Sequence, residues 1–66
     1  MGDRAQLEEM EARWILDAYL QIKDKQKASQ YITAQTARLS KFYGNDFDSR
    51  CRRYMRQIFD GRTNGD

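Results

Sequence analysis

Sixty-six residues make one domain, and a lone monomer of that length buries only about 60% of its unfolded surface. The single cysteine, Cys51, excludes an intrachain disulfide, and the absence of histidine removes a main zinc ligand and the commonest general base. The net charge of +2 is too small to mark a nucleic-acid or acidic-ligand protein by itself, and it hides an uneven distribution.

Residues 1–22 set five acids against Arg4 and Arg13. Residues 23–44 set five bases against Asp24, and residues 45–66 set five arginines against four aspartates. The N-terminal MGDRAQLEE shows no apolar stretch behind a basic start, so no signal peptide is expected. Gln6 stands where an N-myristoylation pattern wants Ser or Thr. No apolar run approaches the roughly 20 residues of a membrane helix. One unpaired cysteine suits a reducing compartment, and a soluble cytoplasmic protein is expected.

Proline is absent, glycine is absent between Gly2 and Gly44, and no alternating apolar run signals a strand. The expected fold is all-α, with three short helices over about 3–22, 24–43 and 46–60. Residues 1–61 form the single domain and 62–66 a polar tail.

In the first helix Leu7, Met10, Trp14 and Ala18 share one stripe. Ala12, Ile15, Leu16, Tyr19 and Leu20 extend the apolar surface around most of the remainder, while Glu8, Glu9 and Glu11 read as its wet face. A helix apolar nearly all round is covered on more than one side. Two short partner helices do not wrap it easily, so a homodimer is expected, with Trp14, Leu16, Tyr19 and Leu20 as self-association candidates.

The stretch QIKDKQKA holds no glycine or proline, so the first two helices are either separate or one rod of about 40 residues, ~60 Å long. The apolar stripe loses phase near Lys23–Asp24, which favours a break there with Asp24 as N-cap. In the second helix Ala28, Tyr31, Ile32, Leu39, Phe42 and Tyr43 form the inner stripe, with Gln35 among them. Gly44 ends it and joins it to the third helix as a helical hairpin.

The third helix is the clearest. Phe47, Cys51, Tyr54 and Ile58 recur at i, i+4, i+7 and i+11, with Met55 beside them. Asn45 or Asp46 caps its start, and Gly61 suits the turn just past its end. Cys51 lies in the inner stripe, which makes it a core thiol rather than a nucleophile. No phosphate loop, nucleophile elbow or metal-ligand cluster is present. The expectation is therefore no enzyme, no cofactor and no metal.

Four arginines, Arg50, Arg52, Arg53 and Arg56, lie outside that stripe. Arg52 and Arg56 stand opposite it one turn apart, and Arg50 and Arg53 lie on the flank. They are candidates for contact with a protein partner or a nucleic-acid backbone, or they are a solvated face. Interspersed Asp46, Asp48 and Asp60 weaken the nucleic-acid reading.

EARWIL (Glu11–Leu16), LQIKDKQKASQYI (Leu20–Ile32), FYGNDF (Phe42–Phe47) and RRYM (Arg52–Met55) together resemble a layout found in small helical phage-encoded proteins. These include quorum-sensing anti-activators and twitching-motility inhibitors of temperate phages. The resemblance spans about residues 11–55. It implies a helical homodimer that inhibits or modulates a bacterial host protein by binding it. The alternative is a nucleic-acid-binding regulator that uses the arginine-rich third helix.

Overall fold

The computed structural model describes residues 3–64 and the side chains of 3–63. They form three helices, α1 (Asp3–Gln21), α2 (Lys25–Tyr43) and α3 (Phe47–Asn64), and no strand occurs among them. At 1.5 Å per residue the longest helices are about 28 Å. The molecule extends 33 × 29 × 15 Å, so two directions match a helix length. The helices therefore cross rather than align as parallel rods, which leaves depressions between their ends.

Local chemistry accounts for both joins. After α1 stops at Gln21, the Ile22 amide donates to the Tyr19 carbonyl at 3.2 Å, a tightened last turn. Asp24 then takes an extended conformation (φ −79°, ψ 113°), and its carboxylate accepts from the Gln26 and Lys27 amides at 2.9 and 3.2 Å. This is the N-cap geometry that satisfies orphan donors. The first two helices are thus separate, because the polar run at residues 23–27 has no apolar stripe for a neighbour to hold in line.

Gly44 sits at φ 101°, a region glycine enters without strain. Its amide donates to Ser40 at 2.8 Å and its carbonyl accepts from Phe47 at 3.0 Å. Asp46 directly precedes α3, and its carbonyl accepts the Arg50 amide at 3.2 Å.

The expected stop at Gly61 is corrected. α3 runs through Gly61 to Asn64, so residues 62–64 are helical; Gly65 and Asp66 of the expected tail lie outside the described residues. The Thr63 hydroxyl donates to the Phe59 and Asp60 carbonyls at 3.1 Å each, and Arg62 reaches Asp17 on α1 at 2.8 Å. These contacts hold the last turn against the ~1 kcal/mol by which glycine disfavours helix.

The core takes Ala12, Ile15 and Leu16 from α1, with Ala28, Ile32 and Leu39 from α2. Phe47, Cys51 and Met55 come from α3. Tyr54 and Ile58 pack half-buried against it, so the expected inner stripe of α3 is the inner face.

The other two helices depart from expectation. Glu8 is not on a wet face; it is 3% exposed. It falls one turn before Ala12 and two before Ile15, so helical geometry carries it inward with them. Leu7, Met10 and Trp14, at 50%, 45% and 59% exposed, face away, because α2 and α3 both pack on the other side of α1. Phe42 is 76% exposed rather than part of the inner stripe of α2. Tyr43, ~100° further round, takes the core position and stacks on Phe47 with ring centroids 4.9 Å apart. Thr36 is buried, and its hydroxyl lies 3.2 Å from the Thr33 carbonyl and also faces Asp48.

Candidate functional site

Of the depressions between the helices, two of similar size treat charge in opposite ways. The first surrounds Glu8. The Arg50 guanidinium donates to both carboxylate oxygens, at 2.9 and 3.0 Å, in a bidentate pair. It also donates to the Tyr43 carbonyl at 2.9 Å, and Arg4 donates to that same carbonyl. Arg4 stands 3.7 Å from Glu8 one turn away. Tyr43 is the last residue of α2, where the helix dipole leaves negative charge, so two guanidinium groups are well placed there. The cluster ties α1, α2 and α3 together.

The neighbouring titrations follow from this geometry. The Glu8 carboxylate pushes the Arg50 pKa up from its ordinary value, against some desolvation. Burial, helped by the nearby Glu11 and Glu8 carboxylates, raises the Tyr43 phenol, whose hydroxyl donates to Glu11 at 3.4 Å. The depression here holds about 380 Å³, and its charges are already partnered within the chain.

The second depression is a trough of about 420 Å³ between the C-terminal half of α1, the N-terminal half of α2 and the middle of α3. Leu16, Ile32 and Met55 are its buried floor, and Tyr19, Leu20 and Phe59 are its more exposed walls. Arg52 and Arg56, one turn apart, stand on the rim. No acidic residue lines it.

The arginines therefore have three fates. Arg50 is held internally and departs from the expectation of an outward-facing group. Arg52 is half-committed, since its guanidinium donates to Asp48 at 2.9 Å and to the Thr33 hydroxyl at 3.4 Å. The Thr36 hydroxyl and the Arg52 guanidinium hold the Asp48 carboxyl below its ordinary range, against the burial that raises it. Arg53 and Arg56 are exposed and make no ion pair among the described residues.

The self-association candidates also separate. Trp14 is on the outward face of α1 with Leu7 and Met10. Leu16, at 4% exposed, is core and meets the surface only as part of the trough's floor. Tyr19 and Leu20 line the trough beside Arg52 and Arg56, so residues proposed for two different contacts share one surface. The reason is on α3. Met55 and Phe59 carry apolar surface round from the inner stripe to the arginine side.

Sequence reasoning missed Glu8, Ile32 as trough floor, and Phe59 as trough wall. The spacing of Glu8 with Ala12 and Ile15 was the available signal for the first. Phe59, one turn beyond Met55, was the signal for the last.

Chemically, the site offers burial and cationic contact. Cys51 is fully buried, and burial, reinforced by the Asp48 charge, pushes its thiol up to about 11, far from a reactive thiolate. Among the described residues no group of three or more His, Cys, Asp or Glu gathers as a metal site. No helix among them is long and apolar enough to cross a membrane. Comparison with protein-family models, curated proteins and solved structures finds no match to the chain.

Proposed function

We propose that this chain is a small non-enzymatic protein-binding module that uses the trough to engage a partner protein. The observation that carries this reading is the trough itself, where an apolar floor and aromatic walls meet two rim arginines with no lining acid. Apolar burial would supply most of the affinity, and the arginines would steer and orient the partner. The action would be stoichiometric, by covering or remodelling the partner's working surface. That the partner is a bacterial host protein, and the module a cytoplasmic phage inhibitor, rests on the sequence resemblance alone.

The test is capture from a bacterial lysate with the wild-type chain, Leu20→Glu and Arg56→Glu, read by mass spectrometry. A protein enriched by the wild type and lost with both variants is expected. No enrichment, or enrichment indifferent to both changes, sinks the reading.

Self-association as a homodimer belongs to the same proposal. Its support is the outward stripe of Leu7, Met10 and Trp14, which recurs at i, i+3 and i+7 and is about half exposed among the described residues. Light scattering on a sizing column reads the mass directly, and a monomer at micromolar concentration overturns it. The nucleic-acid alternative loses support from the fate of the arginines, because Arg50 and Arg52 already hold Glu8 and Asp48. DNA affinity that falls steeply with salt and disappears with Arg52→Glu and Arg56→Glu together would restore it.

A further inference from the structure

We infer that the segment seated in the trough is an acidic amphipathic helix of the partner, with carboxylates at both ends of an apolar anchor. This rests on the protein-binding reading above and names the chemistry of its partner.

The first support is continuity. A smaller depression of about 200 Å³ adjoins the trough at the join between α1 and α2, and Tyr19 and Leu20 line both. The smaller one continues apolar through Ile22 and Ala28 and is flanked by Lys23 and Lys25. The combined groove has arginines at one end, lysines at the other and apolar surface between. No acid lines either part. Arg52 shares its charge with Asp48, whereas Arg56, Lys23 and Lys25 make no ion pair among the described residues. A ligand that buries apolar groups here gains from carboxylates at both its ends and is penalised for cations there.

The second support concerns backbone. Apart from the short join at Ile22 and Lys23 the groove is built from helices, whose main-chain groups bond within themselves, and no strand edge occurs among the described residues. An extended peptide would find no strand edge to pair with here and would lose the main-chain hydrogen bonds it makes to water. A helix brings its own backbone bonds satisfied and docks through side chains at i, i+3, i+4 and i+7.

The probe is a fluorescein-labelled synthetic helix of about 18 residues, five turns. It carries Leu and Phe on one face and Glu in its first and last turns. Matched peptides replace those Glu residues by Gln or by Lys. Each is titrated with the full-length chain and followed by anisotropy at about 50 and 300 mM salt.

The Glu peptide should bind about tenfold more tightly than the Gln peptide at low salt, and the Lys peptide more weakly still. That advantage should shrink as salt rises. Arg56→Glu and Lys25→Glu should each weaken the Glu peptide by about fivefold or more, and Arg53→Glu, away from the groove, by less than about twofold. Circular dichroism of the variants confirms that each remains helical.

Equal affinity for the three peptides, lost with Leu20→Glu, overturns the acidic assignment and leaves a protein-docking groove in place. If no peptide binds, the inference is overturned. If duplex DNA or phosphatidylglycerol vesicles then bind through Arg56, the protein-binding reading falls with it.

Discussion

Arg50 and Arg56 lie six residues apart on one helix and end in opposite roles. Arg50 faces the N-terminal half of α1, where the buried Glu8 and the exposed end of α2 take all its directed hydrogen bonds. Arg56 stands beside an apolar trough with no acid in its lining, and makes no ion pair among the described residues. The same side chain is an internal tie at one end of the molecule and a displayed charge at the other. What differs is the residue opposite, which comes from a distant part of the chain. A cluster of arginines in a sequence is therefore a set of separate questions, each answered by a tertiary neighbour.

The largest expected effect separates the trough's floor from its wall. Leu16→Ala should cost about 2–5 kcal/mol, because Leu16 is buried core, and a chain this small has only about 3–10 kcal/mol in total. Leu20→Ala, on a side chain 48% exposed, should cost under about 1 kcal/mol. Urea denaturation reads both. Similar midpoints for the two would mean that the trough has no rigid floor.

Next comes the contrast between the arginines. Arg50→Ala leaves the Glu8 carboxylate buried without its bidentate partner, and lowers the thermal midpoint clearly. Arg56→Ala leaves no buried charge behind and should barely move it. Glu8→Gln combined with Arg50→Met should recover part of the loss, since no uncompensated charge then remains. Equal midpoints for the two alanine variants would erase the distinction between the two ends.

A smaller effect, in the stabilising direction, is expected at Gly61. A methyl group there meets nothing within 4 Å, and the residue is helical. Gly61→Ala should raise stability by up to about 1 kcal/mol and firm the turn after Phe59. A loss of stability instead would show that α3 needs glycine there and ends before Arg62.

The smallest effect is a pH dependence at the rim. The folded state depresses the Asp48 pKa through Thr36 and Arg52. Its contribution is therefore present above the unfolded value, about 3.9, and is lost as pH falls through the folded value. Wild-type stability should decline in that acid range, and Asp48→Asn should flatten part of the decline. An unchanged slope would mean that Asp48 does not hold Arg52 at the rim.

Much of the fold was legible because it is local. Three helices, the break capped by Asp24, the turn at Gly44 and the inner stripe of α3 all follow from spacing, capping and glycine placed a few residues apart. Gly61 misled because the contacts that extend α3 past it include Asp17, in another helix.

Helical periodicity and capping act over about four residues, so the residue pattern alone already fixes that three helices form, where the breaks between them fall and which positions of each could face inward. Which apolar face of α1 is covered depends on how the three helices pack. That packing buries Glu8 with Ile15, turns Trp14 outward, and brings Tyr19 and Leu20 beside Arg52 and Arg56. α1 is apolar on several sides, so its own pattern leaves the choice open. The choice falls to the shape and charge of α2 and α3, where Arg50 can reach Glu8 only with that face turned inward.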